Sequence, residues 1–317
     1  MAEGKIAFGA DVGGTTVKLG LYDVDKEQFT EKWEIPTRTQ DEGKAILPDI
    51  ALSLQNKIEQ NQIDTRKIMG VGIVVPGPVL DSRIVNQAVN LHWGVMDVAT
   101  ILSDLLGGLP VKVANDARGA ALGEQWKGAG REYQNMVMVT LGTGVGGGII
   151  LNGKIAAGSH GAGGEIGHIK VNDTETVPCN CGKCGCLEQY ASATGVVRMT
   201  RKAMQEKKVV TSLKDDDSLT CQEVFDEAKK GDAFALSMVN QFGKYLGEAL
   251  ASIAEVVDPE AFVIGGGVSK AGQIILDVIQ RYYKPAAFHA CRDAAFCLAE
   301  LGNDAGIYGA VRLILQQ

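Results

Sequence analysis

The sequence predicts an α/β protein built from two similar halves. An apolar strand, a glycine-containing turn and a second apolar strand occupy residues 6–22, and the same order returns at residues 136–151. Segments with helical periodicity alternate with short apolar strands in the rest of the chain. The 317 residues are enough for two domains of about 100–200 residues each. We therefore expect two α/β domains with a ligand between them and a boundary near Ala114.

The first half should contain helices between buried strands. Residues 44–60 have Ile46, Ile50, Leu54 and Ile58 on one face, which is typical of an amphipathic helix. The other predicted elements are strands at Ile6–Ala10, Val17–Tyr22, Ile68–Val75 and Val111–Ala114, and helices at Asp97–Leu106 and Asp116–Trp126.

The second half repeats this pattern with longer helices. We predict strands at Met136–Leu141, Gly148–Leu151 and Ala261–Ile264, and helices within Thr194–Gln205, Gln222–Lys230, Asp232–Val257 and Ala305–Leu315, with one more helix after Gly267.

Composition and charge exclude several classes of protein. The chain is 45% hydrophobic and 22% charged, as in ordinary globular proteins, and its formal charge is −7 without a clustered basic face. We expect no nucleic-acid partner. The start is not a signal peptide, and no apolar run approaches the roughly 18 residues of a membrane span. A cytoplasmic protein without a membrane partner is expected, in which the seven cysteines are reduced.

Three glycine clusters, the first at residues 11–16, the second at 141–148 and the third at 265–269, follow apolar strands and are candidates for phosphate or nucleotide binding. Backbone N–H groups can approach phosphate oxygens at glycine, hydroxyls add donors, and Asp11 could hold Mg²⁺ through water. Taken singly, each cluster is also explained by a plain turn. The run at 142–147 resembles GxGxxG, but a strand follows it, so we reject a dinucleotide fold. The candidate nucleotide-binding residues are Asp11, Gly13, Gly14, Thr15, Thr16, Lys18, Thr143, Gly144, Gly146, Gly265, Gly266 and Gly267.

Asn115 and Asp116 come between a strand and a helix. Either side chain could cap the helix, which is the commoner role for these residue types. Asp116 could alternatively orient a nucleophilic hydroxyl, as carboxylates do in phosphoryl transfer.

A cysteine-rich loop predicts a structural zinc ion. His168 and Cys179, Cys181, Cys184 and Cys186 offer five ligands for four places, and Cys₃His is an ordinary zinc set. We predict His168, Cys179, Cys181 and Cys186 as the ligands; a disulfide or free thiols are the alternatives.

Two carboxylates lie next to these ligands in the sequence. A metal anchored at both ends would fix Glu165 and Glu188 in space, where carboxylates suit paired sugar hydroxyls. His168 could bind zinc with one ring nitrogen and a sugar with the other. The alternative for both glutamates is a solvated surface.

These residues together resemble the ROK family (repressors, open reading frames, sugar kinases), over nearly the whole chain. The motifs are DVGGT at 11–15, VPGP at 75–78, NLHW at 90–93, Asn115-Asp116, ALGE at 121–124, LGTGVGGG at 141–148, GEIGH at 164–168, CNCGKCGCLE at 179–188 and VIGGG at 263–267. The GEIGH and cysteine motifs are specific, whereas the glycine loops also occur in the wider actin-like superfamily. Cys184 is an extra thiol within the cysteine motif.

The resemblance implies two actin-like (ribonuclease H-like) ATPase domains around a central cleft: residues 1–114, with a C-terminal helix at about 304–317 packing back, and residues 115–303. It implies an ATP- and Mg²⁺-dependent hexose kinase with a structural zinc ion. Asp116 would be the base toward the sugar 6-hydroxyl, and Thr143 would lie near the transferred phosphoryl group. The implied sugar contacts are Asn90, Asn115, Asp116, Glu165, His168 and Glu188. A homodimer or homotetramer is also implied.

Overall similarity favours glucose as the substrate and ATP as the donor. Fructose, mannose, allose and N-acetylmannosamine are alternative substrates, because a difference of one hydroxyl is decided by the shape of the pocket. Polyphosphate is the alternative donor. A sugar-responsive repressor of the same family would carry a DNA-binding extension, for which the ten residues before Asp11 leave no room. A sensor without catalysis is disfavoured, since Asp116 and the glycine loops are intact.

Overall fold

The structure is a computed structural model that describes residues 4–206 and 209–316. Its strands are β1 Ile6–Val12, β2 Thr16–Asp23, β3 Gln28–Pro36, β4 Ile68–Val75, β5 Val79–Leu80, β6 Ile84–Val85, β7 Met96–Asp97, β8 Val111–Asn115, β9 Met136–Leu141, β10 Val145–Leu151, β11 Lys154–Ile155, β12 Ala261–Gly265 and β13 Ala295–Leu298. Its helices are α1 Ile46–Gln60, α2 Val98–Leu105, α3 Asp116–Lys127, α4 Glu188–Ala191, α5 Ala193–Glu206, α6 Cys221–Lys229, α7 Ala233–Val257, α8 Gln273–Ala286 and α9 Ala305–Leu315.

The chain divides into two compact units at residues that differ from the predicted limits. The first unit comprises Met1–Arg131, Gly148–Gly163 and Asn303–Gln317, and the second comprises Glu132–Gly147 and Gly164–Gly302. The predicted boundary after Ala114 lies inside the first unit, just before α3. The domains 1–114 with 304–317 and 115–303 stay a prediction, in which residues 1–3 and 317 lie outside the described part of the chain.

A five-stranded mixed sheet forms the centre of the first unit, in the order β3-β2-β1-β4-β8. β1 pairs antiparallel with β2 and parallel with β4, and β4 pairs parallel with β8. The predicted helix at 44–60 is confirmed as α1, which buries Ile46, Ile50 and Leu54 in the core of this unit. Each such side chain contributes about 1.5–3 kcal/mol to stability. The edge strand β3, β11 and the small β5-β6-β7 sheet had no sequence prediction.

The C-terminal helix α9 also belongs to the first unit, where it packs against α3, β1 and β4. Glycine permits the close approach between α9 and α3, because a Cβ atom at Gly309 would lie 1.7 Å from the carbonyl oxygen of Gly119. This contact fixes α3, and therefore Asn115 and Asp116 at its start.

The second unit is built on parallel strands and long helices. β12 pairs parallel with β9 on one side and with β13 on the other, and β10 starts in this unit next to β9. The predicted long helix at 232–257 is confirmed as α7, which begins where the Asp232 side chain accepts a hydrogen bond from the backbone of Ala235. The carboxyl ends of β9 and β12 deliver the second and third glycine clusters, as is usual for ligand-binding loops of open α/β sheets.

Among the described residues, every helix is too short or too polar to cross a lipid bilayer.

Candidate active site

Asn115, and not Asp116, caps α3. The Asn115 side chain accepts a hydrogen bond from the backbone of Arg118 at 3.2 Å and donates one to the carbonyl oxygen of Gly77 at 3.1 Å. Asn115 is buried, and both the oxygen and the nitrogen of its side-chain amide are hydrogen-bonded within the protein. Asp116 is exposed at the first helical position, and its Oδ1 accepts from the adjacent backbone N–H of Ala117 at 2.8 Å. Capping therefore does not account for the Asp116 carboxylate.

Asp11 lies near Asp116 in the first unit. Burial raises the pKa of Asp11 to about 6; the negative charge of Asp116 adds to this, and Lys18 opposes it. α9 closes over the Asp11 carboxyl group, since a Cβ atom at Gly306 would lie 2.3 Å from its Oδ2. Two neighbouring carboxylates that repel each other are suited to a divalent cation, which relieves the repulsion.

The first glycine cluster forms the exposed turn between β1 and β2. Gly13, Gly14 and Thr15 are exposed, and the turn is closed by a hydrogen bond from the Gly13 N–H to the carbonyl oxygen of Thr16. The candidate sugar residue Asn90 is also exposed, and its carbonyl oxygen lies 3.9 Å from a Cβ atom built at Gly14. Lys18 extends from β2 and donates to the carbonyl oxygen of Asn303. The unit thus brings Asn90 next to this turn.

The turn formed by the second glycine cluster is shorter than the predicted turn at residues 142–147. The turn covers only Gly142–Gly144, because β10 begins at Val145 instead of the predicted Gly148. Gly146 consequently lies within β10, whereas Thr143 and Gly144 are in the turn. A hydrogen bond of 3.0 Å from the Gly142 N–H to the carbonyl oxygen of Gly144 closes it.

The third glycine cluster contributes to a cavity in the second unit. Gly265 ends β12, Gly266 has a φ of 84°, and Gly267 opens a 3₁₀ segment before α8. The cavity has a volume of about 520 Å³, within the ordinary range for small-molecule pockets. The second and third glycine clusters and the start of α6 line this cavity. The lining includes Gly142, Thr143, Thr220, Cys221, Phe225, Gly267, Val268 and Lys270.

The four predicted zinc ligands lie together in the second unit. One ligand atom from each of His168, Cys179, Cys181 and Cys186 falls within 4.8 Å of all the others. The Cys179 Sγ is 3.7 Å from the His168 Nδ1, and the Sγ atoms of Cys181 and Cys186 are 3.6 Å apart. A tetrahedral zinc site with thiolate ligands has edges of about 3.8 Å. Both the geometry and the donor set therefore fit zinc.

Cys184 does not belong to this group. Its Sγ instead donates to the carbonyl oxygen of Thr176 at 3.6 Å. The disulfide alternative is wrong for this structure, in which all seven cysteines are free thiols.

Glu188 connects the cysteine cluster to the second glycine turn. Its Oε1 accepts a hydrogen bond from the Cys179 Sγ at 2.8 Å and lies 3.9 Å from the His168 Nδ1. Its Oε2 points toward the turn, where a Cβ atom at Gly144 would be 2.7 Å away. Glu188 is mostly buried, so a solvated surface role does not fit it. Glu165 is exposed and precedes the 3₁₀ turn that carries His168.

Sequence reasoning missed the residues that hold these groups in place. The Gln189 Oε1 accepts hydrogen bonds from the backbone N–H groups of Gly185 and Cys186, and its Nε2 donates to the carbonyl oxygen of Val177. The Ser192 hydroxyl donates a hydrogen bond to the carbonyl oxygen of Glu188. The Thr194 hydroxyl donates one to the carbonyl oxygen of Thr143. For Gln189, the available signal in the sequence was its position directly after Glu188, the last residue of the cysteine motif.

Comparisons with known proteins agree along nearly the whole chain. The ROK family model matches residues 7–317. A protein named glucokinase from Halalkalibacterium halodurans is 45% identical over 314 residues, covering 98% of this chain and 94% of its own. A ROK family glucokinase from Streptomyces griseus, solved in complex with glucose and AMPPNP, superposes with a TM-score of 0.75 at 32% identity and covers 98% of this chain and 100% of its own.

A third relative supports the same fold. The ROK hexokinase from Thermus thermophilus superposes with a TM-score of 0.80 at 28% identity, and the match covers 98% of each chain. The predicted actin-like α/β fold is thereby confirmed. The chain belongs to the ROK family.

Proposed function

We propose that the protein is an ATP-dependent glucokinase, which transfers the γ-phosphoryl group of ATP to the 6-hydroxyl of glucose. The position of Glu188 carries this proposal. One oxygen of this mostly buried carboxylate meets a turn of the kind that binds phosphate, and the other meets the cysteine cluster. A hydroxyl-binding group next to a phosphate-binding turn is the arrangement that transfer to an alcohol requires. The likeness to proteins named glucokinase supports glucose as the acceptor.

Asp116 is proposed to be the catalytic base. It is exposed at the start of α3, and Asn115 already caps that helix, so the carboxylate can accept a proton from the 6-hydroxyl. Asn90, Asn115, Glu165, His168 and Glu188 are proposed to bind the sugar. Asn115 already uses its amide oxygen and one amide hydrogen within the protein, so its contribution is chiefly to fix Asp116.

The donor is proposed to be ATP with Mg²⁺. The base and ribose would occupy the cavity between α6 and the third glycine cluster, and the turn at Thr143 and Gly144 would face the phosphates. Gly13, Gly14, Thr15 and Thr16 would bind phosphate from the first unit. Asp11 would hold Mg²⁺, which when bound neutralises charge on the phosphates. Lys18 would act through Asp11, whose negative charge it stabilises.

A zinc ion is proposed at His168, Cys179, Cys181 and Cys186. The four donor atoms lie within 4.8 Å of one another, and two of their separations, 3.7 Å and 3.6 Å, are close to the edge of a tetrahedral zinc site. Bound zinc would hold the Cys179–Glu188 segment against the His168 turn. Its role would be structural, because four protein ligands leave no open position for a substrate.

A panel of sugars tests the proposed function. The purified, zinc-loaded protein would be given Mg²⁺-ATP with glucose, mannose, fructose, allose or N-acetylmannosamine, and ADP release would be followed. The proposal expects a kcat/KM for glucose well above the others. A preference for another sugar would change the substrate but keep the kinase, whereas no turnover on any sugar would overturn the proposal and favour a sugar sensor. Polyphosphate in place of ATP tests the donor.

The proposal also includes a cytoplasmic enzyme that forms a homodimer or homotetramer. ATP as the donor and seven free thiols favour a reducing compartment. Light scattering of the purified protein would measure the oligomeric state, and a monomer at all concentrations would contradict it.

A further inference from the structure

We infer that Ser192 and Thr194 form a clasp that ties the main chain of the proposed sugar ligand Glu188 to the phosphate-binding turn, and that Thr194 is a positioning residue for phosphoryl transfer. This inference rests on the proposed function, because it assigns the turn at Thr143 to the donor phosphates. The clasp consists of residues 192–195, which are the residue that follows α4 and the first three residues of α5.

Hydrogen bonds on one side of the clasp reach the turn. The Thr194 Oγ1 donates to the carbonyl oxygen of Thr143 at 2.7 Å. The backbone N–H of Ala193 donates to the carbonyl oxygen of Gly142 at 2.8 Å. Two consecutive residues of the clasp therefore hold two consecutive carbonyl groups of the turn.

Hydrogen bonds on the other side reach Glu188. The buried Ser192 Oγ donates to the carbonyl oxygen of Glu188 at 2.6 Å and accepts from the backbone N–H of Gly195 at 2.9 Å. The hydroxyl oxygens of Ser192 and Thr194 are 3.0 Å apart. Each hydroxyl donates its one hydrogen to a carbonyl oxygen, so the contact between the two hydroxyl oxygens adds no further hydrogen bond. The main chain of Glu188 and the carbonyl of Thr143 are therefore joined through the short backbone segment from Ser192 to Thr194.

The turn needs such support because of its composition. Glycine flanks Thr143 on both sides, and glycine has the widest range of accessible backbone conformations. The hydrogen bond between Gly142 and Gly144 closes the turn, but it does not fix how the turn is oriented. Contacts with other segments must fix that orientation. A donor group placed 1 Å away from its best position can cost about 100-fold in rate. The hydroxyl of Thr194 is exposed beside the turn and supplies one of these contacts without being part of the buried core.

The clasp therefore predicts a selective kinetic defect. Losing the Thr194 hydroxyl should loosen the turn and so affect ATP, while Glu188 keeps its contacts with Cys179 and Ser192 and continues to bind glucose. A single neutral hydrogen bond corresponds to a change of about 3- to 10-fold. We expect kcat to fall and the KM for ATP to rise within this range, with the KM for glucose and the zinc content unchanged.

Three variants of the zinc-loaded full chain test the clasp. Thr194→Val keeps the shape of the side chain and removes the hydroxyl, and Thr194→Ser keeps the hydroxyl and should restore wild-type kinetics. Thr200→Val is the matched control on the same helix, since the Thr200 hydroxyl donates to the carbonyl oxygen of Val196 within α5 and reaches no glycine turn. kcat, both KM values, zinc content and binding of a non-hydrolysable ATP analogue would be measured for each.

A defect confined to Thr194→Val and to the ATP parameters would support the clasp. Equal kinetics of Thr194→Val and Thr200→Val would overturn it, and so would a Thr194→Ser variant as impaired as Thr194→Val. If the wild-type protein phosphorylates no sugar, the proposed function fails separately. The analogue titration then decides the clasp alone: weaker binding by Thr194→Val than by Thr200→Val supports it, and equal binding refutes it.

Discussion

The Sγ of Cys179 lies 2.8 Å from the Oε1 of Glu188. A proposed zinc ligand and a proposed sugar ligand are therefore in direct contact. Burial raises the pKa of the Cys179 thiol, which donates its proton to this hydrogen bond. A zinc ion requires the thiolate form, in which Sγ no longer donates and Oε1 can accept from a sugar hydroxyl. Metal binding and sugar binding should therefore be linked through this pair.

Replacing a proposed zinc ligand should impair sugar binding. Cys181→Ser is expected to lose the zinc ion and to raise the KM for glucose by about 10-fold or more, because Glu188 contacts the proposed ligand Cys179 and such contacts around a metal typically change activity by about 10- to 100-fold. Cys184→Ser is the matched control, since Cys184 lies outside the ligand group. Zinc content and glucose KM would be measured on both. A Cys181→Ser protein with full zinc, or a Cys184→Ser protein without it, would contradict the ligand assignment.

Removing the Asp116 carboxylate should abolish turnover. Asp116→Ala is expected to bind glucose nearly as well as wild type, because the other proposed sugar ligands remain. A residual rate above about a tenth of wild type, a loss under ~1.4 kcal/mol, would show that Asp116 is not the base. Asn115→Ala provides the contrast, since losing the cap should destabilise the fold by about 1 kcal/mol. Steady-state kinetics, glucose titration and urea unfolding measure these effects.

The Asp11 carboxyl group should make stability depend on pH. Its pKa of about 6 in the folded protein exceeds the ordinary 3.8, with burial as the largest cause. Between pH 3.8 and about pH 6, Asp11 is protonated in the folded protein and ionised in the unfolded chain. The stability that this group contributes is therefore fully present below pH 3.8 and is lost as the pH rises through about 6. Asp11→Asn should therefore be more stable than wild type at pH 7, by about 1–2 kcal/mol for a partly buried group.

The Asp11 prediction is checked by urea unfolding without Mg²⁺ at several pH values. The stability difference between Asp11→Asn and wild type should grow from pH 4 to pH 6 and then level off. A difference that does not change across this range would contradict the raised pKa.

A methyl group at Gly144 should displace Glu188. The added Cβ would lie 2.7 Å from the Glu188 Oε2, closer than Cβ contacts ordinarily come. Gly144→Ala is therefore expected to weaken glucose binding, since the carboxylate must turn away from the turn. Gly142→Ala is the control for this measurement, because its added Cβ meets no atom within 4 Å. Glucose affinities would be compared by calorimetric titration, and equal affinities of the two variants would rule out the steric relationship.

Periodicity predicted the helices and central strands because these elements depend on local patterns. The apolar spacing at 46, 50, 54 and 58 recurs as one buried or half-buried face of α1, and Ile68–Val75 and Met136–Leu141 are strands at the predicted residues. β3 was missed since its residues alternate between half-buried and exposed at the edge of a sheet, with several charged side chains. β13 was missed because its pairing with β12 comes from distant parts of the chain.

The sequence by itself determined the family, the presence of glycine turns after the strands and the candidate zinc ligands, because residue types and spacing encode these features. Only the tertiary structure decided which competing role a residue takes. Asn115 and Asp116 were equal candidates for the cap until the fold placed the Gly77 carbonyl next to the Asn115 amide. Cys184 was separated from the other cysteines by the path of its loop. Glu188 and Gly144 are 44 positions apart in the sequence, and their contact exists because packing, unlike local pattern, joins distant segments.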